Sequence, residues 1–346
     1  MLPLALAPTA ARAAEVMVMP GQDFCGAFNQ AAPGDVVILL PGDHPGPCAL
    51  SSGGAPGNPK VLRGAEPGDS ARIVYDGANS NVIDVLASDI VIQDLHFGPS
   101  MPDIDAIKIK DGSRIAVESC TFSQIGGITI SANSKDSDGI IIRGNGFLDL
   151  KATGVYLGCH DGMTACAATN VLVADNLFNM VDSANVGYAM ELKLDTYGVV
   201  RDNVIADTKG PGIEVYGSTD LTRVTVVERN LVIGSRNNGT LEVGGGPAIV
   251  RNNVVVGGAG AGIYVYDYGG RGLVRAIQIV GNTVVGDAGP AISLSGWAAD
   301  KELELADNAA WQSAGPGPAI PAQIAGVAWA GLWLFQRSRP AFADVL

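Results

Sequence analysis

Short runs in which apolar residues stand two positions apart recur along most of the chain. Examples are Arg114-Ile-Ala-Val-Glu118, Gly139-Ile-Ile-Ile-Arg143 and Ala276-Ile-Gln-Ile-Val280. Apolar alternation of this kind predicts a β-strand with one buried face. The segments between the runs lack an apolar period of 3.6 residues, so we expect an all-β domain without crossover helices.

A five-residue phrase ends each run and returns roughly every 27 residues. Its third position is Asn in seven of eight copies and Cys120 in the other. A fixed period of this length predicts a solenoid. Two or three short strands per coil then give a right-handed parallel β-helix, in which the Asn side chains stack as a ladder at a corner. Cys120 is expected to pack in this ladder as a small buried apolar residue. The eight phrases begin at Glu118, Arg143, Ala174, Arg201, Glu228, Arg251, Val280 and Ala306.

The N-terminal region divides into a leader and a cap. Residues 1–14, rich in Ala, Leu and Pro, are similar to the end of a secretory signal peptide. Residues 15–315 are predicted to form the β-helix domain. Within residues 21–32, Phe24 and Phe28 indicate a short amphipathic helix that covers the first coil, which would otherwise expose its core and a strand edge.

The C-terminal residues 316–346 are predicted to form a second cap or a tail. Residues 319–335 are largely apolar, but Pro321 and Gln323 interrupt them and leave about a dozen uninterrupted apolar positions, too few to cross a bilayer. We therefore expect a cap and no membrane span, with a membrane anchor as the alternative.

The spacing of the cysteines indicates the cellular compartment of the protein. Cys25 and Cys48 flank the first coil, and Cys159 and Cys166 bracket a short loop. Two close pairs plus Cys120 predict two disulfides and a periplasmic or secreted protein. Five unrelated reduced thiols are the alternative.

The charge balance narrows the choice of partners. The net charge is −13 and the chain has no basic run, which argues against nucleic-acid binding. The same charge should repel polyanions overall, so it suits neutral glycans better than anionic ones. We expect a polysaccharide or oligosaccharide partner and a monomeric protein.

A second strand in each coil is usually opened by Gly, as in Gly212-Ile-Glu-Val-Tyr216, and its outward residues should form two columns. The middle coils then carry three stacked glutamates beside a lysine and several tyrosines, which makes this face the candidate site. The first column is Lys108, Thr129, Tyr156, Glu191, Glu214, Glu242, Tyr264 and Ser293. The second column is Lys110, Ser131, Gly158, Lys193, Tyr216, Gly244, Tyr266 and Ser295.

Loops that leave this face add candidate substrate-binding residues. His160 lies inside the Cys159–Cys166 loop and Asp267 follows Tyr266. His160 is a candidate acid or base, or simply a loop histidine that bonds its neighbour. The expected substrate-binding set is Tyr156, His160, Tyr264, Tyr266 and Asp267.

The early coils, with Gly53-Gly-Ala-Pro-Gly-Asn-Pro-Lys-Val-Leu-Arg63 and Ser88-Asp-Ile-Val-Ile-Gln-Asp-Leu-His-Phe97, resemble secreted carbohydrate-active β-helix proteins. The order Ala189-Met-Glu-Leu-Lys193, Arg201-Asp-Asn-Val-Ile205, Gly212-Ile-Glu-Val-Tyr216 is similar to the active strands of the chondroitinase B and alginate lyase family. The resemblance implies that Lys193 is the base. It also implies that Glu191 helps to hold Ca²⁺. The family's Arg position falls at or next to Tyr216.

Three functions follow as hypotheses. The first is a polysaccharide lyase or C5-epimerase acting on a uronate glycan, with Lys193 as base, Tyr216 as acid, and Glu191, Glu214 and Glu242 as Ca²⁺ ligands. The second is a glycoside hydrolase that uses paired carboxylates such as Glu214. The third is a non-catalytic carbohydrate-binding or cell-surface β-helix. The fold hosts many chemistries, so the site must decide among them.

Overall fold

The structure is a computed structural model that describes residues 13–67, 70–160, 165–183, 187–236, 239–296 and 301–312. The predicted leader at residues 1–14 falls almost wholly outside this range, as does the predicted C-terminal cap or tail at 316–346. No helix in the described part of the chain is long and apolar enough to cross a membrane.

Three parallel sheets run the length of the molecule, and each coil contributes one strand to each sheet in turn. This is the predicted parallel β-helix, with three strands per coil. Sheet 1 contains Glu15–Val18, Val36–Leu39, Lys60–Gly64, Ile90–Gln93, Ile115–Glu118, Ile140–Arg143, Val171–Ala174, Gly198–Arg201, Thr225–Glu228, Ala248–Arg251, Ile277–Val280 and Leu303–Ala306. Sheet 2 contains Gly42–Pro45, Ala71–Val74, His96–Phe97, Thr121–Ser123, Gly146–Leu150, Leu177–Val181, Val204–Thr208, Leu231–Ile233, Val254–Val256, Thr283–Gly286 and Ala309–Gln312.

Sheet 3 carries the candidate site. It contains Cys48–Leu50, Ile83–Val85, Ile107–Ile109, Ile130–Ala132, Val155–Leu157, Met190–Leu192, Ile213–Val215, Gly239–Val243, Ala261–Val265 and Ile292–Leu294. A short pair, Ser137–Asp138 with Ala168–Thr169, lies outside the three main sheets.

The core is a narrow column of aliphatic side chains from all three sheets, as alternation predicts. On sheet 2 it contains four phenylalanines that stack from coil to coil. The ring centroids of Phe97 and Phe122 are 4.9 Å apart, those of Phe122 and Phe147 are 5.2 Å apart, and those of Phe147 and Phe178 are 4.2 Å apart. This stack holds the N-terminal half of the solenoid in register.

The predicted asparagine ladder is present at the corner between sheets 1 and 2. Asn203 is typical: its Nδ2 donates to Val173 O and to Asn230 Oδ1, both at 2.9 Å, and its Oδ1 accepts from the backbone N of Asn176 at 3.1 Å. Each side chain from Asn145 to Asn282 therefore bonds to the coils on both sides, and Asn308 ends the ladder by bonding to the coil before it. The ladder starts where Cys120 N donates to Asn145 Oδ1 at 2.9 Å, and Cys120 is buried as predicted. Its members are Asn145, Asn176, Asn203, Asn230, Asn253, Asn282 and Asn308.

Helix α1 spans Phe24–Gln30, inside the predicted segment, and buries Phe24 and Phe28. Asp23 caps its N-terminus by accepting from Gly26 N at 2.8 Å. That the helix serves as the cap of the first coil stays a prediction. Both predicted disulfides are present, Cys25–Cys48 and Cys159–Cys166.

Replacing Asn203 by Ala should destabilise the protein by about 3 kcal/mol, because it leaves buried donors and acceptors on two neighbouring coils without partners. Urea unfolding followed by circular dichroism measures the effect. The control is Asn179→Ala on the outer, partly exposed face of sheet 2, which should change stability by less than about 0.5 kcal/mol. Equal effects of the two substitutions would contradict a structural role for the ladder.

Candidate active site

The middle of sheet 3 places the predicted first column in register. Tyr156, Glu191, Glu214, Glu242 and Tyr264 occupy paired positions on successive strands. Neighbouring members are thus one strand spacing apart, ~4.8 Å. The three glutamates therefore stack on consecutive coils, as the sequence predicts.

Two assignments in the columns were wrong, those of Thr129 to the first column and of Ser131 to the second. Ser131, and not Thr129, pairs with Tyr156 in the first column, and Thr129 is fully buried. The strand enters the register at Ile130, which pairs with Val155. A shift of two residues preserves the alternation of faces, so the sequence pattern is unable to distinguish the two registers.

Lys193, Glu191 and Tyr216 form one hydrogen-bonded cluster across two coils. Lys193 Nζ lies 2.7 Å from Glu191 Oε2 and donates to Tyr216 OH at 2.8 Å. The Tyr216 hydroxyl donates to Glu191 Oε2 at 3.1 Å. Lys193 Nζ also lies over the rings of Tyr156 and Tyr216, 4.8 Å and 4.0 Å from their centroids. The ammonium group is therefore surrounded by a carboxylate and two aromatic faces.

These groups are almost closed off from solvent, since Glu191 is 3% exposed, Lys193 2% and Tyr216 1%. Burial raises the pKa of Glu191, while Lys193 and hydrogen bonds from Lys193 and Tyr216 oppose part of that rise. Burial and the charges of Glu191 and Glu214 raise the pKa of Tyr216, so its hydroxyl stays a neutral donor.

Glu214 and Glu242 form a second cluster with Tyr266. The two carboxyl groups occupy paired positions on neighbouring strands. Tyr266 OH donates to Glu214 Oε1. Burial and the neighbouring Glu242 hold the pKa of Glu214 well above its usual value, and burial raises the pKa of Glu242 to about 7. At neutral pH the pair therefore holds a proton.

The predicted substrate-binding residues lie in different parts of the site. Tyr156 OH contacts Nδ1 of His160 at 3.2 Å, which brings the histidine to the edge of the lysine cluster. Tyr264 stacks on Tyr266 with centroids 4.9 Å apart. Asp267 accepts from Gly272 N at 2.8 Å and orders the loop after sheet 3.

Sequence reasoning indicated Asp267 in this loop but did not indicate Arg271. A 3₁₀-helix at Tyr268–Gly270 places the Tyr268 ring edge-on to Tyr216, 4.2 Å between centroids, with the guanidinium of Arg271 4.6 Å from the Tyr268 ring. Gly244 permits this contact, because a Cβ there would lie 2.8 Å from that of Tyr268. Tyr188, two residues before a strand of sheet 3, was also missed: burial and Glu214, Glu191 and Glu242 raise its pKa.

The glutamates do not surround a common point. Glu191 is paired with Lys193, and Glu214 accepts a hydrogen bond from Tyr266. Across the described residues, no group of three or more His, Cys, Asp or Glu side chains is placed to hold a metal ion. Calcium binding by Glu191, Glu214 and Glu242 stays an untested prediction.

Comparison with known proteins agrees with the coil geometry. A family model described as the right handed beta helix region matches residues 88–255. The chain has the right-handed parallel β-helix fold. Among solved structures, it is similar to an alginate lyase from Paenibacillus sp. str. FPU-7, with 16% identity over 85% of this chain and 98% of that chain and a TM-score of 0.57.

Two further similar structures are modules of mannuronan C-5 epimerases from Azotobacter vinelandii. The AlgE6 A-module is 15% identical over 79% of this chain and 76% of that chain, with a TM-score of 0.59. The AlgE4 A-module is 15% identical over 74% and 70% of the two chains, with a TM-score of 0.56. A search of curated protein sequences finds no match. At these identities the structural likeness establishes the fold.

The Glu214–Glu242 pair should make stability depend on pH. A carboxyl group whose pKa rises from 4.5 to about 7 on folding stabilises the protein below pH 4.5, and this contribution is lost as the pH rises through 7. The loss is at most about 3 kcal/mol, at ~1.4 kcal/mol per unit. Glu242→Gln should flatten the fall of the melting temperature between pH 4.5 and 7.

The matched control is Glu304→Gln on the exposed outer face of sheet 1, which should leave the pH dependence unchanged. All proteins are measured in EDTA, so that a bound cation contributes nothing to the slope. A Glu242→Gln profile parallel to that of the parent protein would contradict the raised pKa of Glu242.

Proposed function

We propose that this protein removes the C5 proton of a uronate residue in a polysaccharide, acting as a lyase or C5-epimerase, with elimination as the favoured reaction. The observation that carries the proposal is the contact of Lys193 Nζ with both Glu191 and Tyr216 on adjacent coils. The similar structures named above are an alginate lyase and mannuronan epimerases, which supports the same chemistry. The two disulfides support an extracytoplasmic location.

Lys193 is the proposed base, and Glu191 prepares it. Inside a buried pair, transfer of the lysine proton to Glu191 replaces two charges by two neutral groups, which the low-dielectric surroundings favour. The raised pKa of Glu191 makes this transfer easier. The neutral amine can then accept the proton α to the uronate carboxyl group.

Tyr216 is the proposed acid. As Lys193 takes the C5 proton, the electrons of the C5–H bond form the C4=C5 double bond and the C4–O bond breaks. The neutral hydroxyl of Tyr216 gives its proton to the departing oxygen. Its raised pKa keeps this proton available at neutral pH.

The short distance between base and acid favours elimination. Nζ of Lys193 and the hydroxyl of Tyr216 are 2.8 Å apart, so both approach the sugar from one side. A syn elimination needs the base and the acid on the same face. Epimerisation needs a proton donor on the opposite face, and Tyr216 does not supply one.

The glycoside hydrolase has less support. A retaining mechanism needs two carboxyl groups about 5 Å apart, free to act as acid and nucleophile. Glu214 instead accepts a hydrogen bond from Tyr266, burial raises the pKa of both Glu214 and Glu242, and Glu191 is paired with Lys193. A purely binding role would leave the buried Lys193–Glu191–Tyr216 cluster without a purpose, since sugar-binding faces are usually open.

Lys193→Met and Tyr216→Phe should each lower kcat/KM on a uronate polymer by at least about 10³-fold, because each removes a proton-transfer group. The measurement is ultraviolet absorbance of the unsaturated uronate product. Lys108→Met, on the same sheet three strands away, is the control and should retain activity.

Deuterium incorporation at C5 without absorbance would assign epimerisation instead. Reducing-sugar release without unsaturation would assign hydrolysis. Glycan binding that survives Lys193→Met, with no turnover of any uronate polymer by the parent protein, would assign a binding module. Parallel assays with EDTA and with CaCl₂ test the calcium prediction.

The same-side geometry also predicts substrate stereochemistry. In mannuronate and glucuronate units the C5 hydrogen and the C4 oxygen lie on the same face of the ring, whereas in guluronate and galacturonate units they lie on opposite faces. We expect polymannuronate to be cleaved at least about 10-fold faster than polyguluronate of matched length and charge. Faster cleavage of polyguluronate would contradict syn elimination by Lys193 and Tyr216.

Substrate entry requires movement of the loop that contains Tyr268 and Arg271, because these side chains lie against Tyr216 in a site that is almost fully buried. Gly269, Gly270 and Gly272 have φ of 63°, 66° and 69°, which gives this loop unusual backbone freedom. Oligomannuronate added to the Lys193→Met protein should change amide hydrogen exchange in residues 266–276. Binding with no change in this loop would contradict the proposed movement.

A further inference from the structure

The outer face of sheet 2 changes from polar to apolar halfway along the solenoid. In the early coils its outward residues are polar or charged, including Arg72, His96, Thr121 and Ser123. From strand Val204–Thr208 onward the outward residues of two adjacent columns are apolar, apart from Thr283 in the first column. We call this surface the apolar face; its members are Val204, Ala206, Leu231, Ile233, Val254, Val256, Val285 and Trp311.

Several of these side chains are well exposed: Val204 is 37% exposed, Val254 41% and Trp311 50%. Ion pairs border the face on both sides. Arg229 Nε lies 2.8 Å from Asp202 Oδ1 along one edge, and Arg236 Nε lies 3.6 Å from Asp207 Oδ1 along the other. A contiguous apolar surface with a charged border is typical of an interaction site.

The size of the apolar face favours a partner within the same chain. Five strands at ~4.8 Å spacing and two side-chain positions per strand give on the order of 200 Å². A stable dimer buries about 800 Å² on each partner. A segment of the same chain needs far less area, because its tether gives it an effective concentration in the millimolar range.

The chain carries such a segment directly after the apolar face. The last described strand, Ala309–Gln312, belongs to the face through Trp311. Residues 319–335 are largely apolar and include Trp329 and Trp333. The six residues between 312 and 319 correspond to seven Cα–Cα steps, which reach up to ~24 Å, and the face is ~19 Å long from its first to its last strand.

We propose that residues 319–335 bind along the apolar face of sheet 2 and cover it. The segment then lies against the side of the solenoid, in contrast to the cap over its last coil that the sequence suggests. This interaction is independent of the chemistry at sheet 3, which lies on a different side of each coil.

Photo-crosslinking in the full chain tests the proposal. Ile233, a half-buried member of the apolar face, is replaced by p-benzoylphenylalanine. The matched control carries the same probe at Ile141, a half-buried outward isoleucine on sheet 1. After irradiation and proteolysis, the Ile233 probe should crosslink to a peptide within 319–335 in protein of monomer mass, and the Ile141 probe should not.

Two full-chain variants keep the test decisive. Val256 serves as a second probe position should the Ile233 protein fail to fold. Trp329→Ser combined with Trp333→Ser should reduce the crosslink yield at Ile233 at least about 3-fold and increase binding of the dye ANS to the exposed face. An unchanged yield would overturn the proposal.

If something other than residues 319–335 covers the apolar face, the crosslinking experiment gives a different result. A crosslink found only in a species of dimer mass identifies a second copy and overturns the proposal. Irradiation with phosphatidylcholine and phosphatidylglycerol vesicles that yields only lipid adducts identifies a membrane surface, which also overturns it. Absence of a crosslink from both probe positions has the same consequence.

Discussion

The register between coils is the constraint on which the rest of this structure depends. Parallel strands pair evenly, so a shift by one residue would turn every core side chain outward. The asparagine ladder opposes such shifts, because each amide bonds to the coil before it and the coil after it in a buried corner. The stacked phenylalanines on sheet 2 add a second reference in the N-terminal half. With the register fixed, residues far apart in the chain become neighbours one strand spacing apart.

The fixed register allows charged side chains to be buried on sheet 3 next to groups that neutralise them. Placing Glu191, Glu214 and Glu242 on consecutive coils would be unfavourable if all three were ionised, since they repel one another and lose their hydration. The structure relieves this in two ways: Lys193 neutralises Glu191, and the raised pKa values of Glu214 and Glu242 keep a proton on that pair at neutral pH. A buried pair of this kind contributes little stability compared with apolar packing, so its presence points to chemistry.

Each coil thus has a structural corner and two faces with different tasks. Sheet 3 gathers acid, base and aromatic groups, whereas the outer face of sheet 2 becomes apolar only in the coils nearest the C-terminal segment. Small residues in the site's second column serve the packing: Gly158 leaves room beside Lys193, and Gly244 lets Tyr268 approach Tyr216. The loop with Tyr268 and Arg271 joins sheet 3 to sheet 1 and closes the site from solvent.

The sequence by itself determined the solenoid, the asparagine ladder, both disulfides and the stacking of Glu191, Glu214 and Glu242. These features follow from period and alternation, which are local and repeat. Thr129 was misplaced because a two-residue shift leaves the alternation intact. Tyr188 and Arg271 were missed because their loop positions follow no period. Only the tertiary structure decided which polar groups bond to one another, since the contacts of Lys193 with Glu191 and of Tyr266 with Glu214 depend on side-chain direction and burial, which a linear pattern does not encode.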